Sequence, residues 1–284
     1  MRRILALLLA ALLPALLLLS SCGEEYDPVP SGEIRVHFLD VGQADCTLLR
    51  THDTVILIDT GDAGSAEAIL SYLDDLEIRE IDCMVLTHPH DDHIGGASSI
   101  LSELTVKECI LPNLTVDSPT FHQLLEDLRR AGTRVSEGYA MKPLQYGDVS
   151  LEILWPEEYP QKEYGDNDSS IVLRAVFGAN TVLFPGDVSS KVENVLVKTY
   201  EPELLKSQIL KVGHHGARSS TNEAFLKAVA PRHAVVSCGS GNSYAYPHLD
   251  LLMRLNDVGI VVSRTDTDGT IVFRGNGEIF SRLE

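Results

Sequence analysis

The chain has 284 residues and a formal net charge of −18 at pH 7, and 44% of its residues are hydrophobic. This length accommodates one large α/β domain or two small ones, and length alone does not decide between them. The acidic balance argues against tight nonspecific binding to nucleic acid, because such binding depends on Lys and Arg side chains that neutralise phosphates.

The N-terminus has the plan of a secretory signal. Arg2 and Arg3 precede an apolar run over residues 4–19, and small residues lead to Cys22. A charged start, an apolar stretch and a small-residue cleavage site define such signals. A transmembrane helix is the weaker interpretation, because the run is shorter than the ~18 residues that a span needs and contains Pro14.

Residues 19–22 (LSSC) resemble the lipobox of bacterial lipoproteins, in which the cysteine is acylated and becomes the new N-terminus. The resemblance implies a signal peptide over 1–21 and a lipidated Cys22 at the start of a polar tether, residues 22–32. Cleavage removes two arginines and no acidic residue, which takes the formal charge from −18 to −20. We expect a bacterial extracytoplasmic protein, anchored to the cell membrane by lipid, with one domain over 33–284.

Apolar periodicity divides that domain into two halves with the same order of elements. The first half predicts strands over 34–39, 46–50 and 55–58, a helix over 65–76, a strand over 83–86, a helix that begins near His93 and a strand over 108–111. The second half predicts strands over 149–154, 170–177 and 181–184, a helix over 192–200 and a strand over 208–212. TLLRTHDTVILIDTGD in the first half matches IVLRAVFGANTVLFPGD in the second. Strands that alternate with helices indicate a layered α/β fold, here one domain of two related halves.

The stretch THPHDDHIGG, residues 87–96, follows a buried strand of the first half. His88 and His90 are two residues apart on a chain that leaves a strand, so their side chains can point the same way. Asp92 and His93 come a turn later and can face a second position. Imidazole and carboxylate ligands suit Zn²⁺, Mn²⁺ or Fe, whereas burial of so many polar groups without a metal is costly. The cluster therefore predicts a metal site.

The second half offers further ligands where its strands end. Asp187 follows VLFPG and is placed to bridge two ions, and His214 and His215 can supply another nitrogen. Asp59 is expected near the same edge, where it would orient a ligand histidine by accepting its other N–H.

The motif H-x-H-x-D-H, with a later G-D and a later histidine, resembles the metallo-β-lactamase superfamily. More specifically, the chain is similar over residues 34–273 to the hydrolase domain of the competence DNA-uptake protein ComEC/Rec2, through FLDVGQAD, ILIDTGD, LTHPHDDHIGG, NDSSIVL, LFPGDV, LKVGHHG and NSYAYPH. The resemblance implies a four-layer αβ/βα sandwich with two divalent metal ions at one edge of two sheets, Zn²⁺ being favoured and Mn²⁺ or Mg²⁺ the alternatives.

The resemblance also assigns the ligands by position. It implies His88 and His90 at the first metal site, Asp92 and His93 at the second, Asp187 as the bridge, and His215 as the last ligand because Gly216 follows it. His214 is then left to support a ligand or to face the substrate. Residues 165–170 (GDNDSS) lack the histidine that many superfamily members use at the first site, and Asp166, Asn167 or Asp168 is left to replace it.

His248 lies in the loop segment YAYPH, where the relatives usually have Y-G-H-P-H. A loop histidine at the mouth of the site could protonate a leaving group or bind a phosphate; a solvent-exposed side chain without a role is the alternative. The histidines expected to be structural or on the surface are His37, His52, His122 and His233. The four cysteines after Cys22 have no C-x-x-C spacing, which leaves either disulfide pairing or burial as small hydrophobic residues.

The predicted reaction is attack by a metal-activated hydroxide on a phosphorus or carbonyl centre. Asp92 would position the hydroxide, and His214 and His248 are the other catalytic candidates. The resemblance favours a phosphodiesterase, including an extracellular nuclease with DNA as its partner, although the sequence shows no basic or aromatic stripe for single strands. The alternatives are a phosphorylcholine esterase-like enzyme of the cell surface, a lactone or β-lactam hydrolase, and a surface-anchored binding module with a vestigial metal site. The oligomeric state stays open.

Overall fold

The computed structural model describes residues 28–114, 116–140, 142–157 and 164–284. The predicted signal peptide, the lipidation site Cys22 and the start of the tether lie outside the described residues. Within the ranges just given, no helix combines the length and the apolar character needed to cross a membrane.

The described residues form two large mixed sheets. The strands are β1 (Ile34–Phe38), β2 (Thr47–Arg50), β3 (Val55–Ile58), β4 (Glu80–Ile81), β5 (Cys83–Val85), β6 (Thr105–Val106), β7 (Glu108–Leu111), β8 (Arg134–Glu137), β9 (Leu144–Tyr146), β10 (Val149–Trp155), β11 (Val172–Phe177), β12 (Asn180–Phe184), β13 (Ile209–Lys211), β14 (His233–Val236), β15 (Val261–Arg264), β16 (Ile271–Gly275) and β17 (Phe280–Arg282). The first sheet has the order β17-β16-β1-β2-β3-β5-β7-β8, the second has the order β15-β14-β13-β12-β11-β10-β9, and β4 pairs with β6.

Helices cover the outer faces of both sheets. They are α1 (Ala66–Asp75), α2 (Asp91–Ile94), α3 (Ala97–Glu103), α4 (Pro119–Ala131), α5 (Ser190–Thr199), α6 (Pro202–Leu205), α7 (Glu223–Val229), α8 (Leu249–Asp257) and α9 (Thr265–Asp268), with 3-10 turns at Asn167–Ser169 and Gly213–Gly216. Local signals explain α4: the Ser118 hydroxyl accepts the N–H of Phe121, Pro119 opens the helix, and Gly132 ends it in a left-handed conformation.

The two sheets repeat one topology. In the first sheet, β2 and β3 are antiparallel, and β3, β5, β7 and β8 follow in parallel. In the second sheet, β11 and β12 are antiparallel, and β12, β13, β14 and β15 follow in parallel. The repeated order of elements along the sequence therefore corresponds to a repeat of strand pairing in space.

Three apolar clusters hold the layers together. One lies between the sheets and includes Phe38 and Phe273 from the first and Leu173 and Phe184 from the second. The second cluster joins the first sheet to α1, α3 and α4, and the third joins the second sheet to α5, α7 and α8. Full burial of one such side chain stabilises the fold by about 1.5–3 kcal/mol relative to exposure. The predicted αβ/βα sandwich is confirmed.

Strand β1 alternates apolar and polar residues, yet all of its side chains are buried. Val36 belongs to the cluster between the sheets, whereas His37 faces α1, where its Nδ1 lies 2.7 Å from the hydroxyl of Tyr72. Burial lowers the pKa of His37 to about 3, so this imidazole is neutral and structural. His52 and His122 are exposed. Free, buried thiols are found at Cys46, Cys83, Cys109 and Cys238.

Parallel pairing brings the carboxyl ends of β3, β5, β12 and β13 to one edge of the sandwich, which is where open α/β sheets form binding crevices. Backbone hydrogen bonds tie the loops at this edge to one another. The Ile171 N–H donates to the Thr87 carbonyl oxygen at 2.8 Å, which joins the two halves, and the Asp45 N–H donates to the Asp92 carbonyl oxygen at 3.1 Å. The predicted strand over 170–177 begins two residues later, at Val172, because the Ser170 side chain bonds within the preceding turn.

Candidate metal centre

The predicted ligands gather at this edge from four chain segments. His88 and His90 leave the end of β5, and the short helix α2 carries Asp92 and His93. Asp187 follows β12, and the 3-10 turn after β13 carries His214 and His215. Distant parts of the sequence are thus brought into one group of imidazoles and carboxylates.

Four ligand atoms enclose one position. Asp92 Oδ2 lies 3.2 Å from His215 Nε2 and 3.9 Å from His93 Nε2. Asp187 Oδ2 lies 3.5 Å from His93 Nε2 and 3.6 Å from His215 Nε2. Ligands about 2.0–2.2 Å from a tetrahedral zinc ion would lie about 3.3–3.6 Å from one another. The spacing of these atoms therefore fits a metal ion.

Three atoms of this group are buried without a hydrogen-bond partner: His93 Nε2, His215 Nε2 and Asp187 Oδ1. Buried polar atoms are nearly always hydrogen-bonded, so unpartnered atoms in one group, including two Nε2 atoms within 3.6 Å of Asp187 Oδ2, need an explanation. A divalent ion satisfies them, whereas apolar packing does not. The residues present fit the metal centre that their types predict.

The remaining nitrogens of the two buried histidines are fixed by the protein. His93 Nδ1–H donates to Asp59 Oδ2 at 2.8 Å, and Asp59 also accepts the N–H and the hydroxyl of Thr87. His215 Nδ1–H donates to the carbonyl oxygen of Ser237 at 3.1 Å. Each bond leaves the Nε2 atom free to ligate. The hydrogen bond predicted for Asp59 is therefore present.

A second position adjoins the first on the other side of Asp187. His88 Nε2 lies 3.1 Å from His90 Nδ1 and 3.9 Å from Asp187 Oδ2. His88 is fully buried, and burial holds its pKa well below the ordinary value, so it presents the neutral imidazole that a metal needs. His90 is partly exposed. Asp187 is thus the carboxylate shared by two neighbouring positions.

The three candidates for the missing ligand lie in the turn at residues 166–168 and have different environments. Asp168 Oδ1 accepts the N–H of Ser189 at 2.8 Å and is occupied there. The Asp166 side chain is half exposed, with Oδ2 at 3.8 Å from His90 Nε2. Asp166 and Asn167 both line the cavity of the metal centre, but of the two only Asn167 has a buried oxygen without a partner, Oδ1. The structure therefore favours Asn167 over its two neighbours.

The paired histidines occupy different environments. His215 is buried, whereas the His214 side chain is 24% exposed and its Nε2 lies 3.6 Å from Asp187 Oδ2. Both residues have positive φ angles, 49° and 51°, which cost about 1–2 kcal/mol each in a non-glycine residue. Such strain persists where the surroundings impose it, often at functional sites. With this backbone conformation, both side chains lie at the same edge of the sandwich. His215 belongs to the ligand group, and His214 lies on the cavity wall.

His248 lies apart from this group. Its Nδ1 accepts the backbone N–H of Arg218 at 3.0 Å, and it precedes the first residue of α8. Its ring packs against that of Tyr246, with centroids 5.0 Å apart. Within the described part of the chain, Tyr246 lines the cavity at this point and His248 does not. The structure therefore places His248 against Tyr246, a residue of the cavity wall, and the predicted catalytic role of His248 stays a prediction.

A buried ion pair beneath the centre was not predicted from the sequence. Lys211 Nζ bonds to Asp45 Oδ2, and both residues are nearly inaccessible to solvent. Asp45 lies on the Nδ1 side of the histidines, 3.6 Å from His215 Nδ1 and 3.8 Å from His93 Nδ1. Asp45, His93, Asp187 and His215 offer ligand atoms within 4.8 Å of one another. Because Asp45 pairs with Lys211 and lies on the Nδ1 side of the histidines, we assign it the support of the ligands. Lysine in the apolar run QILKV was the available signal, because buried lysine needs a partner.

Burial and neighbouring charges shift the pKa values of the site residues in opposite directions. Burial alone would raise the pKa of Asp187, but the imidazoles of His93 and His215 hold it well below its ordinary value. Burial would likewise lower the pKa of His93, but the carboxylates of Asp187 and Asp59 raise it well above. Metal binding would release these protons, since a ligand histidine must be neutral.

An open cavity of about 530 Å³ lies over the metal centre. The residues that line it are Gln43, Pro89, His90, Asp91, Asp92, Val116, Asp117, Ser118, Asp166, Asn167, Asp187, His214, His215, Tyr244 and Tyr246. Its volume is typical of a small-molecule site. In the part of the chain that the structure describes, this wall contains five aspartates and neither lysine nor arginine.

The chain is similar to known proteins both in sequence and in fold. A family model described as "Metallo-beta-lactamase superfamily" matches residues 39–240. ComE operon protein 3 of Bacillus subtilis (strain 168) is 31% identical over 265 residues, which cover 87% of this chain and 34% of that protein. Competence protein ComA of Neisseria gonorrhoeae is 34% identical over 250 residues, which cover 87% of this chain and 33% of that protein. The chain thus spans about a third of the length of these relatives.

A solved structure shows the same fold at low sequence identity. The metallo-beta-lactamase fold protein YhfI from Bacillus subtilis superposes with a TM-score of 0.56 and 14% identity. The match covers 86% of this chain and 99% of that one.

Proposed function

The chain belongs to the metallo-beta-lactamase superfamily, and from its site we propose that it is a metal-dependent hydrolase that cleaves phosphodiesters. The observation that carries the proposal is that His93 Nε2 and His215 Nε2, both buried without a hydrogen-bond partner, lie 3.5 and 3.6 Å from Asp187 Oδ2. A vestigial site in a binding module would have no reason to keep these atoms buried and unsatisfied. Two divalent ions, when bound, would supply Lewis acidity and lower the pKa of a water molecule toward neutrality.

The polarity of the cavity favours a phosphodiester over a β-lactam. A β-lactam carries a carboxylate away from the scissile carbonyl, and the described wall offers no lysine or arginine to bind it. A phosphodiester carries its single negative charge on the reacting group itself, next to the metal positions. The similarity to ComE operon protein 3 and Competence protein ComA also supports DNA as a substrate to test.

The residues around the two positions have separate roles in hydrolysis. A water oxygen forms a new bond to phosphorus while the bond from phosphorus to the leaving oxygen breaks, which gives a monoester and an alcohol. The Asp92 side chain lines the cavity and is 36% exposed, so it can orient the attacking water, whose proton goes to the leaving oxygen. His214, on the cavity wall, can carry that proton to the leaving oxygen, since burial lowers its pKa and favours the neutral imidazole. Asp59 and Ser237 hold His93 and His215 in the orientation that ligation requires.

Metal content and hydrolysis should be measured together on residues 23–284. We expect turnover of bis-p-nitrophenyl phosphate with Zn²⁺, Mn²⁺ or Mg²⁺ and a loss of at least about 100-fold in Asp92→Ala, the scale on which electrostatic catalytic groups act. Asp75→Ala is the matched control, because Asp75 is an exposed carboxylate at the end of α1.

Two results would contradict the proposal in different ways. A protein that holds its metal but does not hydrolyse diesters would be tested on lactones and β-lactams, the carbonyl alternatives. A protein whose site binds no ion would instead support a binding module.

The LSSC segment supports the further proposal that the enzyme is anchored by lipid outside the cell membrane. Fatty-acid labelling that persists in Cys22→Ser would contradict this proposal.

A further inference from the structure

Two tyrosines form a stacked pair at the rim of the metal cavity. The rings of Tyr244 and Tyr246 have centroids 5.3 Å apart and an interplanar angle of 18°, within the range of favourable aromatic pairs. Both rings line the cavity. Tyr244 is 62% exposed, so one of its faces is covered by Tyr246 and the other is open to solvent.

The side chain of Asn242 holds the loop that carries the tyrosine pair. Asn242 Oδ1 accepts the backbone N–H of Tyr244 at 3.2 Å and that of Tyr246 at 3.0 Å. Asn242 Nδ2–H donates to the carbonyl oxygens of Gly239 and Tyr246. Between the tyrosines, Ala245 has a φ of 57°, a left-handed conformation that costs an alanine about 1–2 kcal/mol. The loop therefore holds Ala245 in a strained conformation, and the tyrosines on either side of it stack on each other.

The inner tyrosine connects the pair to the metal centre. The Tyr246 ring meets the His214 ring edge to face, with centroids 5.7 Å apart and planes at 70°. His214 Nε2 in turn lies 3.6 Å from Asp187 Oδ2. The tyrosine pair therefore lies on the wall of the cavity that contains the metal positions, with Tyr244 as its outer member.

On the assumption that the site cleaves phosphodiesters, we propose that Tyr244, backed by Tyr246, stacks on an unpaired nucleobase of a substrate bound in this cavity. The single open face of Tyr244 suits stacking on a planar ring. Sites for quaternary ammonium groups instead surround the cation with several aromatic faces. Stacking is independent of base sequence and of phosphate charge. It therefore gives affinity where the five aspartates of the wall oppose a long polyanion.

Three p-nitrophenyl phosphodiesters with the same leaving group test this proposal: thymidine 5′-(p-nitrophenyl phosphate), ethyl p-nitrophenyl phosphate and p-nitrophenylphosphorylcholine. We expect a higher kcat/KM for the thymidine ester than for the ethyl ester. Tyr244→Leu should reduce that ratio about five- to 160-fold, the range of base–aromatic stacking. Tyr244→Phe keeps the ring and should keep the ratio. Tyr244 is exposed, so both variants are expected to fold.

The outcomes separate this proposal from the function on which it rests. If the metal-loaded wild type hydrolyses none of the three esters, the phosphodiesterase function fails and the stacking role fails with it. If it hydrolyses them and the thymidine-to-ethyl ratio is the same in Tyr244→Leu, only the stacking role is overturned. A preference for the choline ester that Tyr244→Leu abolishes would also overturn it, in favour of a quaternary ammonium site.

Discussion

A single carboxylate oxygen, Asp187 Oδ2, lies within 3.9 Å of an imidazole nitrogen from each of His88, His93, His214 and His215. This residue therefore organises the centre, because it is shared by both metal positions and by the cavity wall. Its negative charge is compensated by the histidines when the metal is absent, which explains why the pKa of Asp187 is held low in spite of burial.

Asn167 provides a prediction at the residue scale. Its buried, unpartnered Oδ1 is favoured as the oxygen that takes the place of the absent histidine at the position of His88 and His90. We expect Asn167→Ala to weaken one of two metal-binding events about tenfold or more, as loss of a supporting group does in other metal sites. Calorimetric titration with Zn²⁺ measures both events.

The neighbour Asp166 is the matched control for that titration. Its side chain is half exposed, so Asp166→Ala should change the same affinity less than about threefold, in line with the small value of exposed charge pairs. Equal titration curves for wild type and Asn167→Ala would contradict the role given to Asn167.

At the scale of elements, helix α5 supports the histidine turn through a buried acid. Glu193 accepts the backbone N–H groups of Thr221 and Asn222 and the side-chain amide of Asn222. Thr221 in turn accepts the N–H of Gly213, the first residue of the histidine turn. Sequence periodicity places α5 correctly, but only the packed structure shows that Glu193 faces inward.

Glu193 makes stability depend on pH. Burial raises the pKa of Glu193 to about 7, although the backbone N–H groups of Asn222 and Thr221 oppose the shift. Between its ordinary pKa of 4.5 and about 7, the folded protein binds more protons than the unfolded chain, so stability falls as pH rises through this window. Relative to Glu193→Gln, the wild type should lose at least about 3 °C in Tm from pH 5 to 8, the effect of about 1 kcal/mol in a domain of this size.

Thermal melts in EDTA at both pH values check this expectation. The chelator keeps metal binding out of the comparison, and the histidines of the metal centre titrate in both proteins, so their contribution cancels. Parallel Tm profiles for the two proteins would show that Glu193 stays ionised across the range.

At the scale of the whole molecule, the metal centre joins the two halves of the sandwich. His88 and His93 come from the first half, and Asp187 and His215 come from the second. An ion held by all of them would link the sheets at an edge where loop hydrogen bonds and the Asp45–Lys211 ion pair also join the halves. We therefore expect the ion to stabilise the fold as well as to serve catalysis.

Removal of the ion tests this link. A free ion concentration 100 times its Kd stabilises the folded state by about 2.7 kcal/mol, so excess EDTA should lower Tm by about 5–10 °C. His215→Ala removes a ligand and should show little of this shift. If the wild type lost its metal with no change in Tm, the ion would not hold the halves together.

The sequence by itself determined the order of elements, the repeat and most of the ligand types, because the apolar periods and the strand-end motifs are local signals. His88, His90 and Asp92 could be found from their spacing alone. The strand ends also placed Asp187 and His215 at the same edge, since parallel strands end together.

Only the tertiary structure decided which atoms of these residues meet. Asp45 and Lys211 are 166 positions apart, so no local pattern shows that they pair under the metal centre. The choice of Asn167 over its acidic neighbours depends on which side chains already have partners. The removal of His248 from the cavity wall and the stacking of Tyr244 on Tyr246 follow from loop conformation. The physical reason is the same in each case: side-chain direction and burial depend on contacts between distant segments, which a linear pattern does not record.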